Sequence, residues 1–151
     1  MPIAFLLGTW KGGGSGRWPT SDPFTYEEEM VFEPGGAGPD FPFFAYTERA
    51  WNPEGGEILH RETGFWRCHS GGGVDAVLAH PVAVTEVTEG AVDGSTIELS
   101  SKTIGRASES DAVTRLERRY TIEDGTMTYE LKMATGDVPL SMHLRGKLER
   151  V

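Results

Sequence analysis

Cysteine is nearly absent from this chain. Cys68 stands alone, so no intrachain disulfide can form and a thiolate zinc cluster is excluded; such usage points to a reducing cytoplasm. Basic charge is scarce too: 14 Lys and Arg face 23 Asp and Glu, for a formal charge of −9. Without a basic stripe, the chain is a poor partner for nucleic acid or an anionic membrane surface. Long apolar runs are missing, and no window approaches the roughly 18 residues a membrane helix needs. The opening Met1–Leu7 is apolar but short, lacks a basic flank and runs straight into Gly8-Thr9-Trp10-Lys11, so it does not read as a secretion signal. Common catalytic signatures are absent as well, with no Gly-x-Ser-x-Gly elbow, no P-loop and no His-Glu-x-x-His. Gly12-Gly13-Gly14-Ser15-Gly16 resembles a phosphate cradle but is not followed by Lys-Ser/Thr and a helix. Glycines there read more simply as kinks that let a strand bend at a barrel corner.

No stretch shows a helical stripe; what the sequence holds instead is strand periodicity. Its 151 residues, 38% hydrophobic and 25% charged, fit one globular domain spanning 1–151. Glycine (20) and proline (9) punctuate the chain instead of forming a low-complexity block. Thr96–Ser100 and Met127–Met133 alternate apolar and polar residues, as a half-buried strand requires. Asp93-Gly94 and Asp124-Gly125 lie between alternating runs and suit type I′ hairpin turns. About ten strands follow from this pattern, near 4–14, 24–33, 42–51, 56–69, 74–80, 82–90, 95–102, 112–122, 126–133 and 140–150. Successive hairpins without long crossovers predict an all-β, ten-stranded antiparallel up-and-down β-barrel, whose closure removes exposed edges and leaves room for one small ligand.

Four histidines are the remaining candidates for chemistry: His60, His69, His80 and His143. A lone histidine in a half-buried strand is more often a hydrogen-bonded structural residue than a ligand. His69, next to Cys68 and three glycines, reads as a loop residue. A Cys68–His69 metal pair lacks further soft ligands nearby, and Cys68 has no charge partner that would activate it as a nucleophile. His143 lies in Pro139-Leu140-Ser141-Met142-His143-Leu144-Arg145. One imidazole suffices to hold haem iron, whereas zinc needs three or four ligands; alone, this residue does not establish a haem site.

Several blocks together do point to a family. Gly8-Thr9-Trp10-Lys11-Gly12-Gly13-Gly14-Ser15-Gly16-Arg17-Trp18-Pro19-Thr20 resembles the N-terminal signature of the nitrobindins, Gly-x-Trp-x-Gly-x-Gly followed by Gly-x-Tyr-Pro-Thr, with Trp18 in place of Tyr. Leu59-His60-Arg61-Glu62, Gly64-Phe65-Trp66-Arg67, Met133-Ala134-Thr135 and His143-Leu144 agree in order along the chain. The resemblance implies a ten-stranded barrel similar to intracellular fatty-acid-binding proteins and lipocalins, with one haem b per chain near one end. It implies His143 as the proximal iron ligand, with Leu59, His60, His80 and Met133 in the pocket. Thr20 would lie near the haem edge, where its hydroxyl either meets a propionate or caps a strand. No residue is implied as catalytic; that part falls to the haem iron. His80 departs from the glutamine common in the family; it could hydrogen-bond a distal ligand, bind iron itself, or face away. Ser108-Glu109-Ser110-Asp111 replaces a more basic stretch and bears on charge at the barrel mouth.

The implied activity is binding of nitric oxide and isomerisation of peroxynitrite to nitrate at ferric haem, with a ferric resting state. The alternative is a carrier of a fatty acid or other hydrophobic small molecule that uses the cavity without iron; a barrel with a filled interior, acting as an interaction module, is a third. The glycine-rich first strand leaves a homodimer open. Strict alternation raises one conflict. It puts His143 on a face with Ser141, Arg145 and Lys147, opposite Leu140, Met142, Leu144 and Leu148, and it splits Leu59 from His60. A bulge would reconcile either case, as would a haem straddling the barrel rim.

Overall fold

The alternation legible in the sequence becomes the inside and outside of a closed wall. In the computed structural model, which describes residues 2–36 and 43–151, the strands are β1 (Gly8–Trp18), β2 (Ser21–Pro34), β3 (Phe43–Trp51), β4 (Ile58–Cys68), β5 (Gly73–His80), β6 (Val84–Asp93), β7 (Thr96–Arg106), β8 (Val113–Glu123), β9 (Thr126–Thr135) and β10 (Ser141–Arg150). Each is antiparallel to the next in sequence, and β1 pairs with β10 to complete an up-and-down barrel. The register of β3 shows the pattern in full. Phe44, Tyr46, Glu48 and Ala50 are buried, while Thr47 and Arg49 between them are exposed, because successive side chains leave the pleat on opposite sides.

Two local expectations are corrected. The chain enters β1 at Gly8, not at residue 4; Ala4–Leu6 forms a single 3₁₀ turn instead. That turn buries Ile3 and Leu6 completely, and Trp10 Nε1 donates to the Leu6 carbonyl at 2.8 Å. Pro42, expected to open the third strand, lies outside the described residues. The two Asp-Gly hairpins also differ from one another. Asp124 and Gly125 both have positive φ (50° and 78°) between paired Glu123 and Thr126, as a type I′ turn demands. At the other hairpin Asp93 pairs with Thr96, so the loop is Gly94-Ser95 and only Gly94 has positive φ, at 60°. The glycine has moved to the first central position, which is not the type I′ arrangement.

One end of the barrel is solid. Trp10, Trp66, Phe32, Phe44, Leu78 and Ile97 are among the fully buried side chains that fill it. Trp66 sits edge-on to both Phe32 and Tyr120, the arrangement in which a ring's positive edge meets a negative face. The Arg150 guanidinium caps this end, 4.2 Å from the Trp10 ring centroid and donating to the carbonyls of Phe5 and Leu7.

The glycine run of β1 is a matter of close approach more than of bending. A Cβ on Gly12 would collide with the Lys147 carbonyl and sit 2.7 Å from Leu148 Cα; one on Gly14 would lie 2.5 Å from the Tyr26 hydroxyl. On the neighbouring strand, a Cβ on Gly146 would strike the Tyr129 ring. Missing side chains at Gly14 and Gly146 thus make room for two inward tyrosines. Gly12→Ala should force β1 from β10 and lower stability by about 1–3 kcal/mol, read as a lower urea midpoint; an unchanged midpoint would show that the strands relax freely there.

Candidate functional site: an imidazole at the mouth and an ionic floor

Opposite the packed end the barrel is hollow. A cavity of about 930 Å³ opens there, toward the upper end of the roughly 300–1,000 Å³ usual for small-molecule sites. Its apolar walls include Phe24, Leu59, Val84, Leu116, Met133 and Leu144. His60, His80 and His143 line it too, so five of the six expected site residues, His143, Leu59, His60, His80 and Met133, gather in one space. Thr20 is the exception in placement. It is exposed in the turn between β1 and β2, outside the cavity lining. Asp111, from the acidic stretch between β7 and β8, does reach the cavity.

Two bulges resolve the conflict with strict alternation. On β10, Met142 pairs with Lys132 and Leu144 with Leu131, which leaves His143 as the extra residue. On β4, His60 pairs with Ala50 and Ile58 with Trp51, so Leu59 is extra. An extra residue shifts the phase of the pleat, and in both places two consecutive side chains reach the cavity: His143 with Leu144, and Leu59 with His60.

The bulge also fixes the chemistry of His143. Its Nδ1 donates to the Arg17 carbonyl across the β1–β10 seam at 2.9 Å, so Nε2 keeps the free lone pair. Trp18 packs edge-on to the ring at 5.2 Å between centroids, and Phe24 meets it at 6.4 Å. Burial, opposed by the Arg17 hydrogen bond, holds the ring's pKa below the ordinary 6.5. At neutral pH it is therefore the uncharged imidazole that metals take. A held ring, a fixed tautomer and an apolar cavity beside it fit haem.

The other histidines are differently employed. His69 lies outside the cavity in an exposed cluster, 2.6 Å from Asp75, which also takes two hydrogen bonds from Arg67. Cys68 is buried, and burial pushes its thiol up, away from reactivity. His80 does not face away: its Nε2 meets Glu86 Oε1 at 3.1 Å and its Nδ1 lies 3.6 Å from Glu62 Oε2.

Beneath the histidines is a polar floor that the sequence analysis did not identify. Arg118, 6% exposed, spans two buried carboxylates. Nε and Nη2 donate to Glu86 at 3.0 and 2.7 Å; Nη1 and Nη2 donate to Glu62 at 2.9 and 3.2 Å; Nη1 also reaches the Tyr120 hydroxyl at 3.1 Å. Although burial alone would raise both carboxyls, the guanidinium charge holds Glu62 well below the usual range and lowers Glu86. A second chain runs beside it: Tyr26 donates to Tyr129 at 2.5 Å, and Tyr129 donates to Glu28 at 2.6 Å. Glu48, hydrogen-bonded to Glu28 and facing Glu62, is pushed up to about 11, chiefly by burial. It is a neutral acid, and its Oε2 has no hydrogen-bond partner among the described residues. The signal for this floor was phase: Glu62, Glu86 and Arg118 fall at inward positions, in register with Trp66, Val84 and Tyr120.

Two outcomes follow for stability. Arg118→Leu leaves two ionised carboxylates buried without their guanidinium and should cost about 3–5 kcal/mol by urea denaturation; a loss under 1 kcal/mol, about that of a surface pair, would mean the floor is hydrated. The pH dependence has two arms. Lowered Glu62 and Glu86 stabilise the fold above the ordinary 4.5, and that contribution is lost as pH falls through their folded values. Glu48, raised from 4.5 to about 11, works the other way: its favourable neutral form is lost progressively as pH rises through that window. Glu48→Gln should therefore flatten the decline of the urea midpoint between about pH 5 and pH 9; parallel declines in both proteins would remove the neutral-acid assignment.

Comparison with known proteins agrees with this construction. The family model described as THAP4-like, heme-binding beta-barrel domain matches residues 1–150. A protein of Arabidopsis thaliana named peroxynitrite isomerase Rv2717c is 36% identical, over 99% of this chain and 87% of its own length. Peroxynitrite isomerase 1 of Mycolicibacterium paratuberculosis is 40% identical, over 98% of this chain and 92% of its own. The crystal structure of Rv2717c from M. tuberculosis superposes with a TM-score of 0.88 at 38% identity, covering 99% of this chain and 94% of that one. With the barrel, its open cavity and the family match all extending over the same residues, the chain belongs to the THAP4-like, heme-binding beta-barrel domain family.

Proposed function

We propose that this chain binds one haem b per barrel through His143 Nε2 and isomerises peroxynitrite to nitrate, with nitric oxide as a further ligand of the same site. The observation that carries this reading is the state of His143: neutral, locked by the Arg17 carbonyl and walled by Trp18 and Phe24 at the edge of a cavity of about 930 Å³. When bound, ferric haem supplies the metal at which peroxynitrite rearranges. The chain's own part is binding, orientation and electrostatics. His143 anchors, and the Arg17 carbonyl raises the basicity of its ligating nitrogen while fixing the ring's direction. Leu59, Met133 and Leu144 line the cavity and would shield a bound haem from water. His60 supplies an imidazole on the remaining cavity wall, where it can meet a small anion, while both His80 nitrogens face carboxylates. The overall charge of −9 opposes an anionic substrate only weakly, since screening reduces charges beyond about 8 Å at physiological salt.

Transport of a fatty acid has less support. A buried carboxylate headgroup needs an available cation, and Arg118, the cation of the cavity floor, already holds both Glu62 and Glu86. Hemin titration of the wild type should give a sharp one-to-one Soret band, and His143→Ala should weaken binding by well over the tenfold, roughly, that loss of a ligand's outer partner costs. Faster peroxynitrite decay by the hemin-loaded wild type completes the test. A weak, broad band identical in both proteins would overturn the reading.

A further inference from the structure

Three side chains of the cavity wall, His60, Glu62 and His80, bring one ligand atom each to within 4.8 Å of one another. The common atom is Glu62 Oε2, 3.4 Å from His60 Nε2 and 3.6 Å from His80 Nδ1. Bonds of 2.0–2.1 Å from nitrogen and oxygen to a tetrahedral ion put neighbouring ligand atoms about 3.3 Å apart. The two carboxylate–imidazole spacings are within a few tenths of an ångström of that value, and the imidazole nitrogens, within 4.8 Å of one another, draw together as the rings turn.

The partners of each group strengthen the geometry. His80 Nε2 faces Glu86 Oε1 at 3.1 Å, and a carboxylate takes the ring proton on that side. Its Nδ1 lies 3.6 Å from Glu62 Oε2, so each ring nitrogen faces a carboxylate oxygen. A divalent ion between these two atoms takes the place of a ring proton, which binding releases. The Glu86–His80 pairing is also the carboxylate–imidazole arrangement that orients histidine ligands around metals. Glu62 is held just as firmly: Oε1 accepts from Tyr46 at 2.8 Å and Arg118 at 2.9 Å, and Oε2 accepts from Arg118 at 3.2 Å, leaving it a lone pair. Charge argues in the same direction. Glu62 and Glu86 carry one more charge than Arg118 supplies, and both lie against His60 or His80, where a proton or a bound cation supplies the balance.

We propose that His60, Glu62 and His80 form a second, non-haem site for a divalent transition ion of the zinc or iron(II) class, built into the wall of the same cavity. Two imidazoles and one carboxylate are the donor set of open zinc and non-haem iron(II) sites, which keep a position for a small ligand. The ion adds two positive charges to a cavity whose walls are otherwise net negative, and an anion entering the mouth meets that charge. The site uses only the chain's own side chains and does not rest on the haem reading.

The test is a Co²⁺ titration of the full-length, haem-free chain after chelator treatment, followed by visible d–d absorption and by Zn²⁺ competition. The expected result is one ion per chain with the intense bands of a four- or five-coordinate site, displaced by Zn²⁺. His80→Gln keeps a polar side chain of similar reach toward Glu86 and should weaken binding at least about tenfold, with an unchanged urea midpoint confirming its fold. His69→Ala, in the exposed cluster with Asp75, should leave the titration as in the wild type. Absence of d–d bands, or bands that His80→Gln leaves unaltered, would overturn the site and leave a hydrogen-bonded floor closed by Arg118 alone. Because hemin binding with His143→Ala is read separately, either proposal can fail without the other.

Discussion

The interior of this barrel is organised around one guanidinium. Arg118 projects from β8 between carboxylates of β4 and β6, and its planar fork makes hydrogen bonds to both. Tyr46, Tyr120 and His80 are placed by the same three groups. A buried ion pair of this kind adds little stability relative to well-packed apolar residues, because both charges have given up their water. What it does add is a floor of fixed polarity beneath an apolar cavity. The packed aromatic end could be extended with leucine and phenylalanine, but such a barrel would have nothing polar with which to orient a ligand.

Above the floor, the mouth is shaped by departures from regular pleating. The extra residues His143 and Leu59 each redirect a strand so that adjacent side chains enter the cavity together. Bulges cost a ladder position and leave a backbone group in need of another partner. At β10 the displaced residue finds that partner through its side chain, on the Arg17 carbonyl. A backbone irregularity and an imidazole tautomer are thus set by the same local event.

Much of this was open to reading in the sequence. Period-two alternation gave ten strands in their correct order, and the Asp124-Gly125 turn kept its type. The blocks around Trp10, His60, Met133 and His143 identified the family, since such short runs agree in order only along a related chain. What resisted reading depends on partners distant in sequence. Glu62 and Arg118 are separated by 56 residues, and nothing local to either states that they meet. The bulges follow from how two strands share their hydrogen bonds, and the alternation of one strand alone cannot reveal them. Gly94-Ser95 shows the same limit at short range: the turn residues are right, but pairing between Asp93 and Thr96 sets the loop one position later. Thr20 belongs to a matching motif, yet its exposed turn keeps it from the cavity wall.

The seam between β1 and β10 has a kinetic meaning. It joins Trp10 to Arg150 and Gly16 to Leu144, the pairings of greatest sequence separation in the barrel, and contacts of that kind bear the largest loop-closure entropy and slow folding most. His143 lies on one side of this seam and the carbonyl that sets its tautomer on the other. A chain whose sheet is formed but still open has its ionic floor, built from β4, β6 and β8, yet the His143 imidazole is free to rotate. On the proposed role of His143, cofactor capture is thereby tied to ring closure, and an unclosed sheet lacks the oriented ligand that would hold a porphyrin in place.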